Sequence, residues 1–257
     1  MSEGAALAFK VVIPARLGST RLPRKVLREI GGKPVIQHVW QAARNTGASE
    51  VVVATDSDEV RAVCAAFGAD VQMTSAQHQS GTDRVMEVAA SRGWDSTSIV
   101  VNLQGDEPLM PPALVRQAAQ LLADDSLADL ASLCHAIGDV DEWRNPNVVK
   151  LVMDSRNYAM YFSRAPIPWK RDGSNATLPM LPPGLAFRHI GLYAYRVAAL
   201  ARFSALPSSA LEDCEALEQL RALSEGLRIK MGITDQAPPR GIDTEDDLQA
   251  VIAFLGR

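Results

Sequence analysis

The feature that most constrains this fold is an alternation of short β-branched runs with helical patterns in the first half of the chain. Strands that alternate with helices predict a parallel sheet covered by helices on both faces. In such sheets ligands bind beyond the carboxyl ends of the strands, so the residues that follow each strand are the first candidates for a site. The predicted strands span residues 10–13, 51–54, 71–74 and 99–103.

Helix signals lie between these strands. Apolar residues at helical spacing end at Gly47, Gly68 and Gly93, and a fourth helix begins at Pro111 or Pro112. We therefore predict an α/β fold, with a mostly parallel twisted sheet flanked by helices.

The pattern changes after about residue 140. Residues 165–185 are rich in Pro, Gly, Ser and Asn and indicate a loop. We interpret the chain as one domain, 1–257, with a nucleotide-binding core at about 9–140, a smaller lobe at about 141–230 and a return to the core at 231–257. The predicted elements of the second half are a hairpin of strands 148–153 and 158–163, a strand at 189–195, one long helix at 210–224, a strand at 228–233 and a final helix near 248–255.

Composition disfavours several classes of protein. The net charge of −4 argues against a general attraction to nucleic acid or anionic lipid. Cys64, Cys134 and Cys214 form no C-x-x-C pair and fit core positions in a reducing compartment better than disulfides. The sequence shows neither a signal peptide nor an apolar run of the ~18 residues that a membrane span needs. We expect a soluble cytoplasmic protein.

The first predicted strand leads into a basic loop, PARLGSTRLPRK, residues 14–25. Guanidinium forks and main-chain N–H groups match the oxygens of a triphosphate, and small residues let the main chain approach them. A solvated basic loop is the alternative. The segment is neither a Walker A loop nor G-x-G-x-x-G, which disfavours a P-loop kinase and a dinucleotide-dependent dehydrogenase. Its cations are Arg16, Arg21, Arg24 and Lys25, with Gly18, Ser19 and Thr20 among them.

A candidate metal ligand follows the fourth predicted strand, in NLQGDEP, residues 102–108. Asp106 comes after an apolar strand and Gly105, a position suited to holding Mg²⁺ beside phosphates. The alternative is a simple turn at the end of the strand. Glu107 can instead cap the next helix.

A second candidate lies in RGIDTEDD, residues 240–247. Thr244 and Asp247 form a capping-box pair before the last helix, so Asp243 is not needed as a cap. Asp243 is then free to act as a second metal ligand, although it can also merely complement the helix dipole.

Two further turns are weaker signals. SGTDR, residues 80–84, opens a helix whose N-cap is Ser80 or Thr82, and such a helix end can also hold an anion or a base edge. VATD, residues 53–56, places Asp56 directly after a strand, where it can simply start a turn.

Three segments of the second half combine charge with aromatic groups: FSRAPIPW (162–169), FRHIGLYAYR (187–196) and LEDCEALEQLR (211–221). Arg164 and His189 can bind a carboxylate. The alternative is that these are ordinary strand residues and a solvated helix face. The candidates for hydrogen bonds to hydroxyl groups are Tyr193, Glu218 and Gln219, the last two of which would neighbour Glu215 on one helix. The histidines treated as structural or surface residues are His38, His78 and His135.

Taken together, these segments resemble the 3-deoxy-manno-octulosonate (Kdo) cytidylyltransferases, also called CMP-Kdo synthetases. The resemblance runs from about residue 9 to residue 255, and PAR…RLP…K alone is shared with CMP-sialate synthetases. It implies a nucleotidyltransferase of the nucleotide-diphospho-sugar transferase type, usually a homodimer, that uses Mg²⁺, with sugar binding and dimerisation in the smaller lobe. The matching motifs are PAR-x-x-S-x-RLP-x-K, VATD, SGTDR, N-x-QGDEP, YFSRA-x-IP, RH-x-G-x-Y-x-Y, LE-x-x-E-x-LEQLR and x-DT-x-x-DL.

The resemblance also implies roles for individual residues. The group implied to carry the transfer is Asp106, Asp243, Lys25 and Arg16, with the two aspartates as metal ligands. The residues implied to contact CTP are Arg16, Ser19 and Lys25 at the phosphates and Ser80, Gly81 and Thr82 near the cytosine. The residues implied to surround the sugar are Gln104, Arg164, His189, Tyr193, Glu218 and Gln219.

The sequence departs from the family beside Lys25, where it has Arg24 and Val26 instead of the more frequent Gly and Pro. If the family's Gly uses a positive φ, Arg24 is strained there or the loop differs.

The implied reaction is attack by the anomeric hydroxyl of Kdo on the α-phosphorus of CTP, which gives pyrophosphate and CMP-Kdo for lipopolysaccharide synthesis. Metal ions and loop cations would reduce the repulsion between an acidic sugar and a triphosphate. Two alternatives remain: a cytidylyltransferase for another acidic sugar, such as 8-amino-Kdo or sialic acid, and a non-catalytic nucleotide-binding regulator. The pair Asp106 and Asp243 argues against the regulator, since a sensor needs no paired metal ligands at the reacting phosphate.

Overall fold

The computed structural model describes residues 7–19, 21–78, 80–171, 184–235, 237–239 and 241–256. Most of the predicted loop at 165–185 lies outside these ranges. The strands are β1 (Phe9–Pro14), β2 (Glu29–Ile30), β3 (Lys33–Pro34), β4 (Glu50–Thr55), β5 (Asp70–Met73), β6 (Ile99–Asn102), β7 (Leu130–Ala136), β8 (Lys150–Met153), β9 (Ala159–Ser163), β10 (Phe187–Arg196) and β11 (Ile229–Ile233). The helices are α1 (Val35–Arg44), α2 (Asp58–Ala66), α3 (Gly81–Ser91), α4 (Pro112–Asp124), α5 (Val140–Arg144), α6 (Val197–Ser204), α7 (Ala210–Glu215), α8 (Gln219–Ser224) and α9 (Glu245–Leu255), with a 3₁₀ turn at Lys25–Leu27.

Nine of the described strands form one sheet, whose central path runs β11-β7-β10-β6-β1-β4-β5. Four of the six pairings on this path are parallel, and the two antiparallel ones are both made by β10. The prediction of a mostly parallel sheet is confirmed. Because β1, β4 and β6 are parallel neighbours, their carboxyl ends meet at one edge of the sheet, where the rule for α/β proteins places a ligand.

Helices cover both faces of the sheet because alternate residues of each strand point to opposite sides. In β1, Val11 and Ile13 pack in a core with α1, α2, α4 and α9, whereas Val12 packs in a second core with α3, α6 and α8. Burying one such side chain contributes about 1.5–3 kcal/mol relative to leaving it exposed. The strand ends that carry the candidate site are therefore anchored from both sides.

Part of the predicted smaller lobe lies within the main sheet. β10 lies between β6 and β7, and β8 and β9 form a hairpin that pairs with the start of β10. The hairpin turns where predicted, since the carboxylate of Asp154 accepts hydrogen bonds from the N–H groups of Arg156 and Tyr158. Residue 141 therefore marks no boundary within the sheet.

The prediction of one helix over 210–224 is wrong. The chain forms α7 and α8, which are separated at Ala216 with φ +50. After the break, Leu217 is buried in the core, and the carbonyl oxygens of Glu215 and Ala216 accept hydrogen bonds from the Arg164 guanidinium. Contacts with the end of β9 thus replace the helical ladder at this point.

The break also separates side chains that were expected to be neighbours. The Glu215 carboxylate accepts from Ser163 Oγ at 2.6 Å and Arg164 N at 2.8 Å, whereas Glu218 accepts from Thr82 Oγ1 at 3.2 Å. The expectation that Glu215 lies beside Glu218 and Gln219 on one helix is therefore wrong. The described elements that the sequence patterns did not predict are β2, β3, β7, α5, α6 and the 3₁₀ turn.

The cysteines are only partly where the sequence placed them. Cys64 and Cys134 are buried, as predicted, whereas Cys214 is exposed because α7 buries no side chain. Burial raises the pKa of both buried thiols to about 12, so neither is an activated nucleophile. Within the described ranges, none of the helices has the length and apolar character needed to cross a bilayer.

Candidate active site

Two cavities meet at the carboxyl ends of the central strands. The first, of about 490 Å³, lies against the basic loop and the start of α3. The second, of about 580 Å³, lies between the end of β9, the middle of β10 and the segment before α9. Arg21, Asp106 and Asp243 line both cavities, so these three side chains stand at the junction.

The wall of the first cavity depends on a close approach between the ends of β1 and β6. A Cβ atom at Gly105 would lie 2.7 Å from the carbonyl oxygen of Pro14, a distance that real side chains do not adopt. Only glycine therefore allows the turn after β6 to pack against the start of the basic loop. This packing brings Asp106 within reach of Lys25.

Lys25 lies between the two carboxylates that the sequence singled out as metal ligands. Its ammonium donates hydrogen bonds to Asp106 and, at 3.1 Å, to Asp243 Oδ1. Arg21 pairs with the other oxygen of Asp243 at 3.1 Å. Burial acts to lower the pKa of Lys25, but the two carboxylates outweigh it and the pKa is raised. The two aspartates are therefore close enough to share one cation.

The departure beside Lys25 has a clear geometry. Arg24 has φ +57 and ψ 28, so the position does use the left-handed region that favours Gly. Its guanidinium pairs with Glu59 on α2. An ion pair outside the cavities thus accompanies the unfavourable backbone conformation.

The start of α3 forms the opposite wall of the first cavity. Ser80 is the N-cap, in a capping box with Asp83, and Ser80 and Gly81 line the cavity. Thr82 is the other residue predicted near the nucleotide, but it is buried and donates to Glu218 rather than lining the cavity. The positive end of the helix dipole therefore faces this space.

Two cavity-lining side chains were not selected from the sequence. Arg84 is buried, lines the first cavity and pairs with Asp56 at 2.6 Å. His78, which the sequence suggested was structural or on the surface, lines the same cavity and contacts Glu87 at 2.5 Å. Arg84 is the last residue of SGTDR, but its pairing with a carboxylate 28 positions away leaves no local sequence signal.

Cations also face the second cavity. Arg164 lines it, and its guanidinium binds the carbonyl oxygens of Pro146, Glu215 and Ala216. Arg188 lines it as well and pairs with Glu142 at 3.0 Å; its place beside His189 was the only signal in the sequence. These two guanidinium groups are candidates to face an anionic group of a ligand, in a cavity that Glu107 and Asp247 also line.

His189 is positioned by an irregularity in β10. The register with β7 shifts between Ile190 and Tyr193, and Ser132 Oγ lies 2.9 Å from His189 Nε2 and within 3.1 Å of the carbonyl oxygens of Ile190 and Leu192. Carbonyls only accept, so the hydroxyl donates to one of them and accepts from Nε2–H. Burial lowers the pKa of His189 to about 3, which keeps the ring neutral and leaves Nδ1 as an acceptor.

Three other predicted sugar-binding residues, Tyr193, Glu218 and Gln219, line neither cavity. The Tyr193 hydroxyl and Gln219 Nε2 are buried without a hydrogen-bond partner among the described residues. Burial, followed by Tyr195 and Glu218, raises the pKa of Tyr193 well above its usual range, so the phenol stays protonated. Burial also raises the pKa of Glu218. Unpaired buried polar groups cost about 1–3 kcal/mol each unless a ligand or water satisfies them.

The sequence allowed Glu107 to cap the next helix. It does not do so, because Pro111 occupies the N-cap of α4. It lines the second cavity instead. Burial first, and then the neighbouring Asp106, raise the pKa of Glu107 to about 7. The position after Asp106 gave no hint of this environment.

Glu107→Gln is expected to flatten the pH dependence of stability. The ordinary pKa is 4.5 and the folded value about 7, so between them the folded chain binds a proton that the unfolded chain releases. The free energy of unfolding therefore falls as the pH rises through this window. Urea denaturation at about pH 5 and about pH 8 measures the fall, with Glu29→Gln, an exposed site in β2, as the control. An equal fall in Glu107→Gln and wild type would contradict the assignment.

The predicted residues divide into three groups by position. Those that line the first cavity are Arg16, Ser19, Lys25, Ser80, Gly81, Gln104, Asp106 and Asp243. Those that line the second cavity are Asp106, Asp243, Arg164 and His189. Those that line neither cavity are Thr82, Tyr193, Glu218 and Gln219. Gln104, expected beside the sugar, thus faces the first cavity, with its amide 3.2 Å from Asn102 Oδ1.

Comparison with known proteins agrees with this geometry. The family model described as Cytidylyltransferase matches residues 10–229. The chain belongs to this family. Curated proteins named 3-deoxy-manno-octulosonate cytidylyltransferase are similar over almost the whole chain: that of Thioalkalivibrio sulfidiphilus is 51% identical over 97% of this chain and 99% of its own, and that of Leptothrix cholodnii is 49% identical over 98% and 93%. At this similarity, the chain belongs with the 3-deoxy-manno-octulosonate cytidylyltransferases.

Two solved structures have the same fold as this chain. A CMP:2-keto-3-deoxy-manno-octonic acid synthetase complexed with CTP superposes with a TM-score of 0.87 at 42% identity, over 97% of this chain and 98% of that one. A putative glucose-1-phosphate thymidylyltransferase from Bacillus anthracis gives a TM-score of 0.64 at 16% identity, over 96% and 94%. The second likeness concerns the fold alone. Together the two superpositions agree with the predicted fold of the nucleotide-diphospho-sugar transferase kind.

Proposed function

We propose that this enzyme transfers CMP from CTP to the anomeric hydroxyl of Kdo and releases pyrophosphate. The observation that carries the proposal is the meeting of two cavities at Arg21, Asp106 and Asp243. One cavity has the features of a triphosphate site and the other those of a site for an acidic, hydroxyl-rich molecule. Their junction is where the phosphorus atom and the attacking oxygen would meet.

In this proposal the first cavity binds CTP. Arg16, Arg21 and Lys25 supply positive charge along one wall, and the start of α3 supplies the N-terminal end of a helix dipole on the other. Ser80 and Gly81 are the residues we assign to the cytosine side. The CTP complex of the structural relative supports this choice of nucleotide.

The second cavity is proposed to bind the sugar. Arg164 and Arg188 would face its carboxylate, and neutral His189 offers a ring acceptor to a hydroxyl. Tyr193 and Gln219 line neither cavity, so their buried polar atoms do not bear on this assignment. Together these features favour a polyhydroxylated acid over a neutral sugar.

The transfer needs positioning and charge stabilisation more than an enzymatic nucleophile. The sugar oxygen would form its bond to the α-phosphorus as the bond from that phosphorus to the bridging oxygen breaks. Lys25, between Asp106 and Asp243, is placed to face the triphosphate charge at the junction. Both buried cysteines are held as thiols, so neither competes as an activated nucleophile.

We assign Mg²⁺ to Asp106 and Asp243. Both carboxylates reach one ammonium, so both can reach one small cation, and the described residues contain no group of three or more His, Cys, Asp or Glu that could hold a metal. A two-carboxylate set fits Mg²⁺, which usually takes one or two carboxylates together with substrate phosphates. When bound, the ion would neutralise phosphate charge and lower the pKa of the attacking hydroxyl.

We also propose that the enzyme is a homodimer, works in the cytoplasm and supplies CMP-Kdo for lipopolysaccharide synthesis. These proposals rest on the family resemblance of the motifs.

A pyrophosphate-release assay with CTP and Mg²⁺ tests the proposal across Kdo, 8-amino-Kdo and sialic acid. We expect release with Kdo and at least about tenfold lower kcat/KM with the other acids. If another acid is preferred, that acid is the acceptor sugar and Kdo is not. If no acid supports release while CTP still binds, the chain is a nucleotide-binding regulator and the proposal fails.

A further inference from the structure

A lysine is buried behind the second cavity. Lys150, the first residue of β8, has no exposed surface, and its ammonium donates to the carbonyl oxygens of Asn145 at 2.8 Å, Val148 at 2.7 Å and Arg164 at 2.5 Å. Each of its three N–H groups therefore has a main-chain acceptor. Fully buried lysines are rare unless they are paired, so this arrangement needs a reason.

The three carbonyl oxygens belong to two segments that form the wall of the second cavity. Asn147, Val148 and Arg164 all line this cavity. The 145–148 turn follows α5, whereas Arg164 follows β9. One ammonium thus joins the two segments from behind, on the side away from the ligand space.

A second set of contacts continues the connection to the break between α7 and α8. The Arg164 N–H and the Ser163 hydroxyl donate to the Glu215 carboxylate, and the Arg164 guanidinium reaches Pro146 O and Glu215 O. Glu215 also lies near enough to Lys150 to favour its charged form, although burial is the larger effect and lowers the lysine's pKa. The cavity wall therefore has a charged network behind it rather than an apolar core.

We infer that Lys150 is a positioning residue for the acceptor sugar, because it fixes the Arg164 backbone and the 145–148 turn in one geometry. The inference rests on the proposed function of the second cavity. An apolar side chain would fill the volume, but it would remove a donor from all three carbonyl oxygens, of which Asn145 O keeps the Val148 N–H at 3.1 Å. The two segments would then be joined only by the weaker set of contacts that the Arg164 guanidinium makes. The Arg164 guanidinium would then keep its charge but would no longer be held in one orientation at the second cavity.

Lys150→Met is expected to raise KM for Kdo at least about tenfold and to leave KM for CTP nearly unchanged, since displacement of a binding group by an ångström costs this much or more. Calorimetric titration with CTP checks that the variant is folded. Lys230→Met is the matched control: Lys230 also donates to a carbonyl, Arg156 O at 2.7 Å, but lines neither cavity. It should change neither KM.

The results distinguish failure of the Lys150 inference from failure of the proposed function. Equal changes in both KM values, or none, in a Lys150→Met protein that binds CTP would overturn this inference and leave the proposed function intact. If the Met variant does not fold, Lys150→Gln, which keeps two N–H donors, should show the same selective rise in KM for Kdo. If neither variant yields a protein that binds CTP, Lys150 serves folding alone and the inference fails. A wild-type enzyme inactive with Kdo would overturn the proposed function, and this inference with it.

Discussion

Asp106→Asn should lower kcat by at least ~10², the scale for losing one preorganised electrostatic group. Asp106 lines both cavities and binds the Lys25 ammonium, so its charge acts on the nucleotide and the acceptor together. The amide keeps the shape of the side chain but removes the negative charge that holds a cation at the junction. Steady-state pyrophosphate release at saturating CTP, Kdo and Mg²⁺ measures the change.

Asp124→Asn provides the control for this experiment. Asp124 is an exposed carboxylate at the end of α4 that accepts from Gln120 at 2.7 Å and lines neither cavity. Its turnover should equal that of wild type. Near-wild-type turnover in Asp106→Asn at saturating Mg²⁺ would instead contradict the assignment of Asp106 as a ligand of Mg²⁺.

Lys25→Met should lower kcat/KM for CTP by at least ~10², because the triphosphate loses a cation that, alone among the described residues, reaches both junction carboxylates. The same change should tighten the binding of Mn²⁺ to the enzyme without nucleotide. In the free enzyme the ammonium occupies the space between Asp106 and Asp243, and like charges at this distance repel. Turnover and Mn²⁺ titration by electron paramagnetic resonance measure the two effects.

Lys33→Met, an exposed lysine in β3, should alter neither quantity. Weaker Mn²⁺ binding in Lys25→Met would show that the ammonium does not compete for the metal position. A kcat/KM within about twofold of wild type would show that Lys25 contacts no group that matters in the transition state.

The sequence predicted those parts of the site that depend on local rules. Alternating periodicities located β1, β4, β5 and β6, and hence the edge where ligands bind. The capping pair of Thr244 with Asp247 predicted that Asp243 is not needed as a cap, and the Asp243 carboxylate binds Lys25 instead. The family's preference for Gly beside Lys25 correctly pointed to a left-handed backbone at Arg24. In each case the physical cause lies within a few residues of the feature.

The rest depended on partners distant along the chain. Nothing near Glu107 indicates that burial and Asp106 will raise its pKa to about 7. The residues around Ala216 have ordinary helical character, and the break arises because Arg164 binds two of their carbonyl oxygens. Lys150 looks like a surface residue at the start of a strand until its acceptors, which include Arg164 O, are known. Tertiary contacts override local propensity at these positions.

The position of β10 in the sheet limits how much of the sheet can form while the chain is being synthesised. β6 has β1 on one side, but its other partner, β10, is completed only at Arg196. Until the ribosome has released that segment, the edge of β6 carries Ile99, Val100 and Val101 with unpaired main-chain groups, a surface that invites pairing between chains. We therefore expect the first half of the chain to remain open at this sheet edge until β10 is available, and not to fold as an autonomous unit.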